Sequence, residues 1–455
     1  MEILVLVVFV LGYLCIALEH TLHVDKAASA LLTGTICWGL FVTGVHEVPT
    51  HLAAEFDSFK AGLSAGPSQS LHYFLEHRLL HHMEDISSIL FFLLGAMTIV
   101  ELVDAHEGFS VITDRIKTTS KVRLIWILSI LTFFFSAVLD NLTTSIVMVS
   151  LLRKLVDDRE TRWLFAGIVV IAANAGGAWS PIGDITTTML WIGNQLTSEV
   201  IIVNLFLPSL ICLLVPLGIL SFTLKGHVQR PPHTHDVVDP TTPGERKLVF
   251  FMGVAGLLFV PVFKTVTHLP PFMGMMLSLG MMWVITELIH RSKNHEDRSQ
   301  LSVIGVLRKI DSASVLFFLG ILLAVASLQE IGHLITAASW LRDTMGNVYA
   351  INVTIGFLSA IVDNVPLVAA SMGMYDLAPA NSSGWEGYFM QNGVFWQFLA
   401  YCAGTGGSAL IIGSAAGVAV MGLERIDFIW YLKKISLLAI AGYLAGAGFF
   451  WLMFH

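Results

Sequence analysis

Apolar runs of about 18 residues or more recur from one end of the chain to the other, each long enough to cross a hydrocarbon core of roughly 30 Å as a helix. They predict spans near 3–18, 27–45, 86–104, 163–196, 200–222, 248–264, 272–289, 312–328, 393–422 and 431–453. Two further apolar stretches, 122–152 and 346–375, are interrupted near the middle by Asp-Asn, in "SAVLDN" (136–141) and "SAIVDN" (359–364). Each of these two either crosses once or enters and returns as a re-entrant hairpin.

The distribution of basic residues separates the two possibilities. With both stretches as hairpins, 21 of the 25 Lys and Arg residues fall on one side, and only Lys60, Arg78, Lys264 and Arg342 fall on the other. With both as full crossings the count becomes 10 against 15, which is no bias. The positive-inside rule favours ten spans plus two hairpins, with both termini outside the cytoplasm. A composition of 55% hydrophobic and 13% charged residues, with a mean hydropathy of +0.76, leaves no room for a soluble domain and fits an all-α polytopic membrane protein. The first run follows Glu2 instead of a basic segment and has no small-residue cleavage site, so it reads as a retained span. Cys15, Cys37, Cys212 and Cys402 all lie in apolar runs and read as packing residues, not as a disulfide framework or zinc cluster.

An internal repeat runs through the same pattern. "DISSILFFLLG" (85–95) resembles "DSASVLFFLGI" (311–321), "SAVLDN" matches "SAIVDN", and "ANAGGAWSPIG" (173–183) resembles "AGTGGSALIIG" (403–413). The expected division is a first repeat over 1–222, with hairpin 122–152 and broken helix 163–196. A linker over 223–247 follows on the cytoplasmic side. The second repeat covers 248–455, with hairpin 346–375 and broken helix 393–422. Five spans and a hairpin make an odd number of crossings, so the two units are inverted, as in many secondary transporters whose sites lie at the midplane between discontinuous helices.

The chemistry concentrates at the breaks. A carboxylate at the centre of a membrane helix costs about 2.5 to 3.5 kcal/mol on insertion scales, so Asp140 and Asp363 are expected ligands or proton carriers as well as caps of the helices that follow them. "NAGGAWSPIGDITTT" (174–188) and "GTGGSALIIGSAAG" (404–417) free backbone groups within a span, which lipid tolerates only beside a cavity. The first adds a third acid, Asp184, with Asn174, Ser180, Thr186 and Thr187 as neutral oxygen donors; the second offers Ser408 and Ser414. Close glycine-mediated helix packing is the competing explanation of these segments. Burial and a bound cation act oppositely on a carboxylate, so competition between Na⁺ and H⁺ for Asp140, Asp184 and Asp363 suffices for exchange. Hard oxygen donors suit an alkali cation, and no cofactor is expected. His77 and His81, four residues apart, lack a third metal ligand and read as part of an amphipathic interfacial helix, with pH sensing by His77 and Glu84 as a further expectation.

These motifs carry a family resemblance over nearly the whole chain. "DNLTTS", "DNVPLVAAS" and "NAGGAWSPIGDITTT" resemble the NhaD-type Na⁺/H⁺ antiporters of the ion transporter superfamily, which also holds arsenite permeases and sodium-coupled divalent-anion symporters. The resemblance implicates Ser136, Asp140, Asn141, Thr143, Thr144, Asn174, Asp184, Thr186, Thr187, Ser359, Asp363 and Asn364 in cation and proton binding. Pro366 stands where the first repeat has Thr143 and Ser414 where it has Asp184, which puts an equivalent second cation site in doubt. It further implies a scaffold domain able to dimerise and a mobile transport domain in a bacterial-type plasma membrane, with no nucleic-acid partner. Two other functions fit parts of the pattern. One is an anion carrier of the same fold, which two tip aspartates would oppose. The other is an intramembrane aspartyl protease, for which "PIGD" lacks the first glycine of a GxGD motif.

Overall fold

The computed structural model describes residues 2–61, 67–113, 115–231, 241–291 and 293–455. Among them the regular structure is helical, without strands, and eight helices have the length and composition to cross a membrane. The protein is an all-α polytopic membrane protein. Its principal helices are α1 (Glu2–Ala17), α2 (Lys26–Gly44), α3 (Pro67–Ala105), α4 (Lys121–Leu139), α5 (Asn141–Leu155), α6 (Arg159–Gly177), α7 (Ile185–Ile192), α8 (Ser198–Thr223) and α9 (Pro243–Thr267). They continue as α10 (Pro271–Ile289), α11 (Ser312–Ile331), α12 (His333–Met345), α13 (Val348–Leu358), α14 (Asn364–Met374), α15 (Val394–Gly406), α16 (Ala415–Glu424) and α17 (Ser436–Phe454).

The polar interruptions break the helices where the sequence places them. α4 gives way to α5 at Asp140, α13 to α14 at residues 359–363, α6 to α7 at 178–184 and α15 to α16 at 407–414. Of the expected 223–247 linker, residues 232–240 lie outside the described residues. Pro243 already opens α9, where Thr242 and Glu245 form a reciprocal capping box.

One difference from expectation concerns the polar segment 71–85. It is not a separate interfacial helix but the first part of α3, which runs unbroken for 39 residues. The segment survives as helix because its polar groups find partners, as the ion cluster below shows.

The chain divides into two compact units. The first is Met1–Phe91, Asp311–Asn347 and Val365–Asp376; the second is Phe92–Ile310, Val348–Asn364 and Leu377–His455. Each draws on both halves of the sequence. In the first unit α2 packs on α11 through Gly34 and Gly320, where a side chain on either would overlap the backbone of the other helix. Trp38, Phe41, Leu52, Phe74, Leu75 and Ala326 form its core. Beside them Glu330, with no solvent exposure, accepts from Arg78 Nε at 3.0 Å and Nη2 at 2.6 Å, and its Oε1 lies 2.7 Å from His82 Nε2. Arg78 also donates to Glu55 at 2.7 Å. Arg78 lies in the polar first part of α3, outside the expected 86–104 span, and neutralises a buried acid that the sequence pattern does not single out.

In the second unit α4 and α13 lie against the broken helices through glycine. A Cβ on Gly176 would overlap the Phe133 carbonyl of α4, and one on Gly406, 230 residues later, would overlap the Gly356 carbonyl of α13. The duplicated motif thus makes the same backbone approach twice, which is the close glycine packing named above as the competing explanation of these segments. Gly176→Ala is expected to cost about 3 kcal/mol or more, because a methyl group meets backbone that cannot swing aside. Thermal unfolding in detergent checks this; an unchanged midpoint contradicts it.

Candidate functional site

The first Asp-Asn pair divides its work. Asp140 sits at φ 75°, ψ 160°, a conformation that L residues rarely adopt and that stores strain of about 1 to 3 kcal/mol. Its Oδ1 accepts from Thr143 N and its Oδ2 from Thr143 Oγ1, both at 2.8 Å, so it caps α5 with both oxygens. Asn141, 4% exposed, turns inward. Its Nδ2 donates to Asn174 Oδ1 at 3.1 Å and to Asp184 Oδ2 at 3.0 Å.

Asn174 lies in the last turn of α6, and Asp184 is the N-cap of α7. Each belongs to one side of the Gly-Gly to Pro-Ile-Gly break, so the break itself brings an amide and a carboxylate together. Asn174 Nδ2 then donates to Ser408 Oγ and Ser414 Oγ, both at 2.9 Å. These serines belong to the second broken helix, so the network joins both halves of the sequence. Asp184 Oδ1 accepts from Thr186 N at 3.0 Å, leaving further lone pairs on a carboxylate only 1% exposed. Thr144 Oγ1 is buried with no hydrogen-bond partner among the described residues, and the Thr186 hydroxyl is buried beside the Asp184 carboxylate. Gly404 keeps space beside the carboxylate, since an added Cβ would stand 3.5 Å from Asp184 Oδ2. A carboxylate with neutral hydroxyl and amide oxygens nearby is a donor set suited to a hard cation.

The remaining predicted residues take other places. Ser136 donates to the Ala173 carbonyl and its repeat mate Ser359 to the Ala403 carbonyl, so the first fastens α4 to α6 and the second the end of α13 to α15. Ser180 donates to the Ala137 carbonyl. Thr187 Oγ1 donates to the carbonyls of Ser180 at 2.8 Å and Asp184 at 2.9 Å, which braces the turn around the carboxylate. Asp363 is partly buried. Asn364 is buried, and its Nδ2 has no hydrogen-bond partner among the described residues. The register of the repeat explains this: Gly404 and Ser414 occupy the positions of Asn174 and Asp184, so the acceptors that Asn141 uses have no counterparts for Asn364. His77 and Glu84 are exposed on α3, outside this network.

A second buried carboxylate fixes the far ends of the same helices. Glu424, at the end of α16, accepts from Arg153 Nε of α5 and Arg162 Nε of α6, both at 2.7 Å. Arg153 also reaches the Leu423 carbonyl. Asn141 opens α5, Asn174 lies in the last turn of α6 and Ser414 caps α16, so one clamp holds the three helices whose opposite ends join in the Asn174 network. Reading the sequence missed Glu424, because an acid at the end of an apolar run with Arg425 beside it reads as a solvated helix terminus.

Comparison with known proteins places this arrangement. A family model described as a citrate transporter matches residues 2–394. Sodium/proton antiporter 1 of Arabidopsis thaliana is 47% identical over 98% of this chain and 71% of its own length. Sodium/proton antiporter 2 of the same plant is 45% identical over 96% of each. The Na(+)/H(+) antiporter NhaD of Vibrio cholerae is 32% identical over 94% of this chain and 87% of the relative. The chain belongs to the citrate transporter family and, within it, to the NhaD-type Na⁺/H⁺ antiporters.

Proposed function

We propose that the protein exchanges cytoplasmic Na⁺, or Li⁺, for external H⁺, with Asp184 binding cation and proton in turn. One observation carries the reading. Asp184, Glu330 and Glu424 are the buried carboxylates among the described residues. Glu330 and Glu424 are each held by arginine, whereas no Lys or Arg is paired with Asp184 among the described residues. A buried carboxylate without a fixed counter-charge takes a mobile one, and a proton and an alkali cation exclude each other there.

Asn141 and Asn174 hold the carboxylate in position, with Thr144 and Thr186 hydroxyls as further ligands. Asp140 and Asp363 contribute charge at the two hairpin tips, Asp140 chiefly as a cap. The names of the relatives support the ion pair, and the bias of basic residues supports a plasma-membrane orientation with both termini external. An anion substrate is disfavoured, because no basic side chain among the described residues donates to the Asn141, Asn174 and Asp184 network. Everted vesicles from a strain lacking its own antiporters test the reading. Na⁺ or Li⁺ is expected to dissipate a respiration-driven pH gradient, read by a fluorescent amine, at neutral and alkaline pH. No dissipation with either ion rejects it.

A further inference from the structure

The half-helix that carries Asp184 is short and is held at both ends. α7 has eight residues, about 12 Å of helix, with Asp184 as its N-cap and Gly193 following its last turn. Its first turn is braced by Thr188 Oγ1, which donates to the carbonyls of Pro181 and Asp184, both at 2.9 Å. Its last turn meets Lys264 of α9, whose Nζ donates to the Trp191 carbonyl at 2.7 Å and stands 4.7 Å from the centre of the Trp191 ring. Trp191 is 2% exposed, with its ring edge-on to Phe92 at 6.4 Å.

The chemistry at this end is specific. The last carbonyls of a helix have no partner within it and carry partial negative charge, which an ammonium group satisfies and neutralises. The indole face adds a second attraction for the same cation. Lys264 is half-buried within a helix long and apolar enough to span, where a charge is retained at a cost. Two turns of helix move as one body, so the lysine that fixes the Trp191 end also fixes the Asp184 end.

We infer that Lys264 is a positioning residue for cation binding: by tethering the Trp191 carbonyl to α9 it holds α7, and with it Asp184, in register with Asn141 and Asn174. This rests on the reading of Asp184 as the cation site. Neutralising the tether lets α7 shift along its axis, which loosens the Asn141 to Asp184 contact and weakens the site for Na⁺ more than it slows transport.

Reconstituted vesicles carrying Lys264→Met, Lys264→Arg and Asp184→Asn, each with its apparent Km for Na⁺, maximal rate and unfolding midpoint, test the tether. Lys264→Met is expected to raise Km about tenfold or more, the loss of one charge-assisted hydrogen bond, with less than a twofold change in maximal rate. Lys264→Arg restores donor and charge and is expected to return Km to within about twofold of the parent. Parent Km in Lys264→Met with a lowered midpoint, or a Km that Lys264→Arg does not restore, overturns the tether while the Asp184 reading stands. Parent-like exchange in Asp184→Asn removes the reading and the tether with it. If Lys264→Met does not fold, the arginine variant decides: parent Km supports the tether, and a raised Km in folded protein overturns it.

Discussion

Asp184→Asn is expected to abolish Na⁺-driven proton exchange and to leave the protein folded in the membrane. The substitution keeps the volume of the side chain, and asparagine remains a good N-cap, so the bond from Thr186 N to the Oδ1 position persists. What changes is the charge and one acceptor. Asn141 Nδ2 now faces either an amide oxygen, which still accepts, or an amide NH₂, which does not. The stability cost is that of one neutral hydrogen bond at most, about 1 kcal/mol. Transport has no such reserve, because Glu330 and Glu424, the other buried carboxylates among the described residues, are already committed to arginine. Exchange by vesicle fluorescence and unfolding in detergent are measured on one preparation. A folded variant that retains even a tenth of parent exchange excludes Asp184 as the carrier; the charge would then belong to Asp140 or Asp363.

Much of this was legible in the sequence, and the parts that were not have a common cause. Apart from the early start of α3 and the unpredicted α12, the apolar runs marked the long helices to within a few residues, because lipid leaves backbone groups no alternative partner. The breaks at Asp140, at 178–184 and at 407–414 were legible because Asp-Asn and Gly-Gly have no place within a continuous span. The sharing of labour within Asp-Asn was not. Asp140 takes the cap and Asn141 the contact with Asp184, an assignment set by backbone angles that no spacing encodes. Pairings across long separations were equally hidden. Asn174 meets Ser408 and Ser414 more than 230 residues away, and Arg78 meets Glu330 at a separation of 252. The polar face of 71–85 was visible, but what it faced was not, so α3 seemed to start later than it does.

Glu424→Ala is expected to cost about 3 to 5 kcal/mol and to deplete the protein from the membrane, the largest stability effect among the substitutions considered. Glu424 is almost fully buried, and Arg162 is only a fifth exposed, so removing the carboxylate leaves a guanidinium without its counter-charge. Arg153, about half exposed, can turn toward water and loses less. The loss also releases three helix ends at once, since Arg153, Arg162 and Glu424 belong to α5, α6 and α16. Glu424→Gln keeps an acceptor and is expected to fall between parent and alanine. The decisive comparison is Arg162→Met with Glu424→Met, which removes charge and partner together: a well-packed apolar pair recovers much of the lost stability if the alanine defect is an unpaired buried charge. Unfolding midpoints of the single and double variants separate the cases. A double variant no better than Glu424→Ala would show that the clamp acts through its geometry. In that event the double variant should also bind Na⁺ weakly, because the opposite ends of the same helices carry Asn141, Asn174 and Ser414.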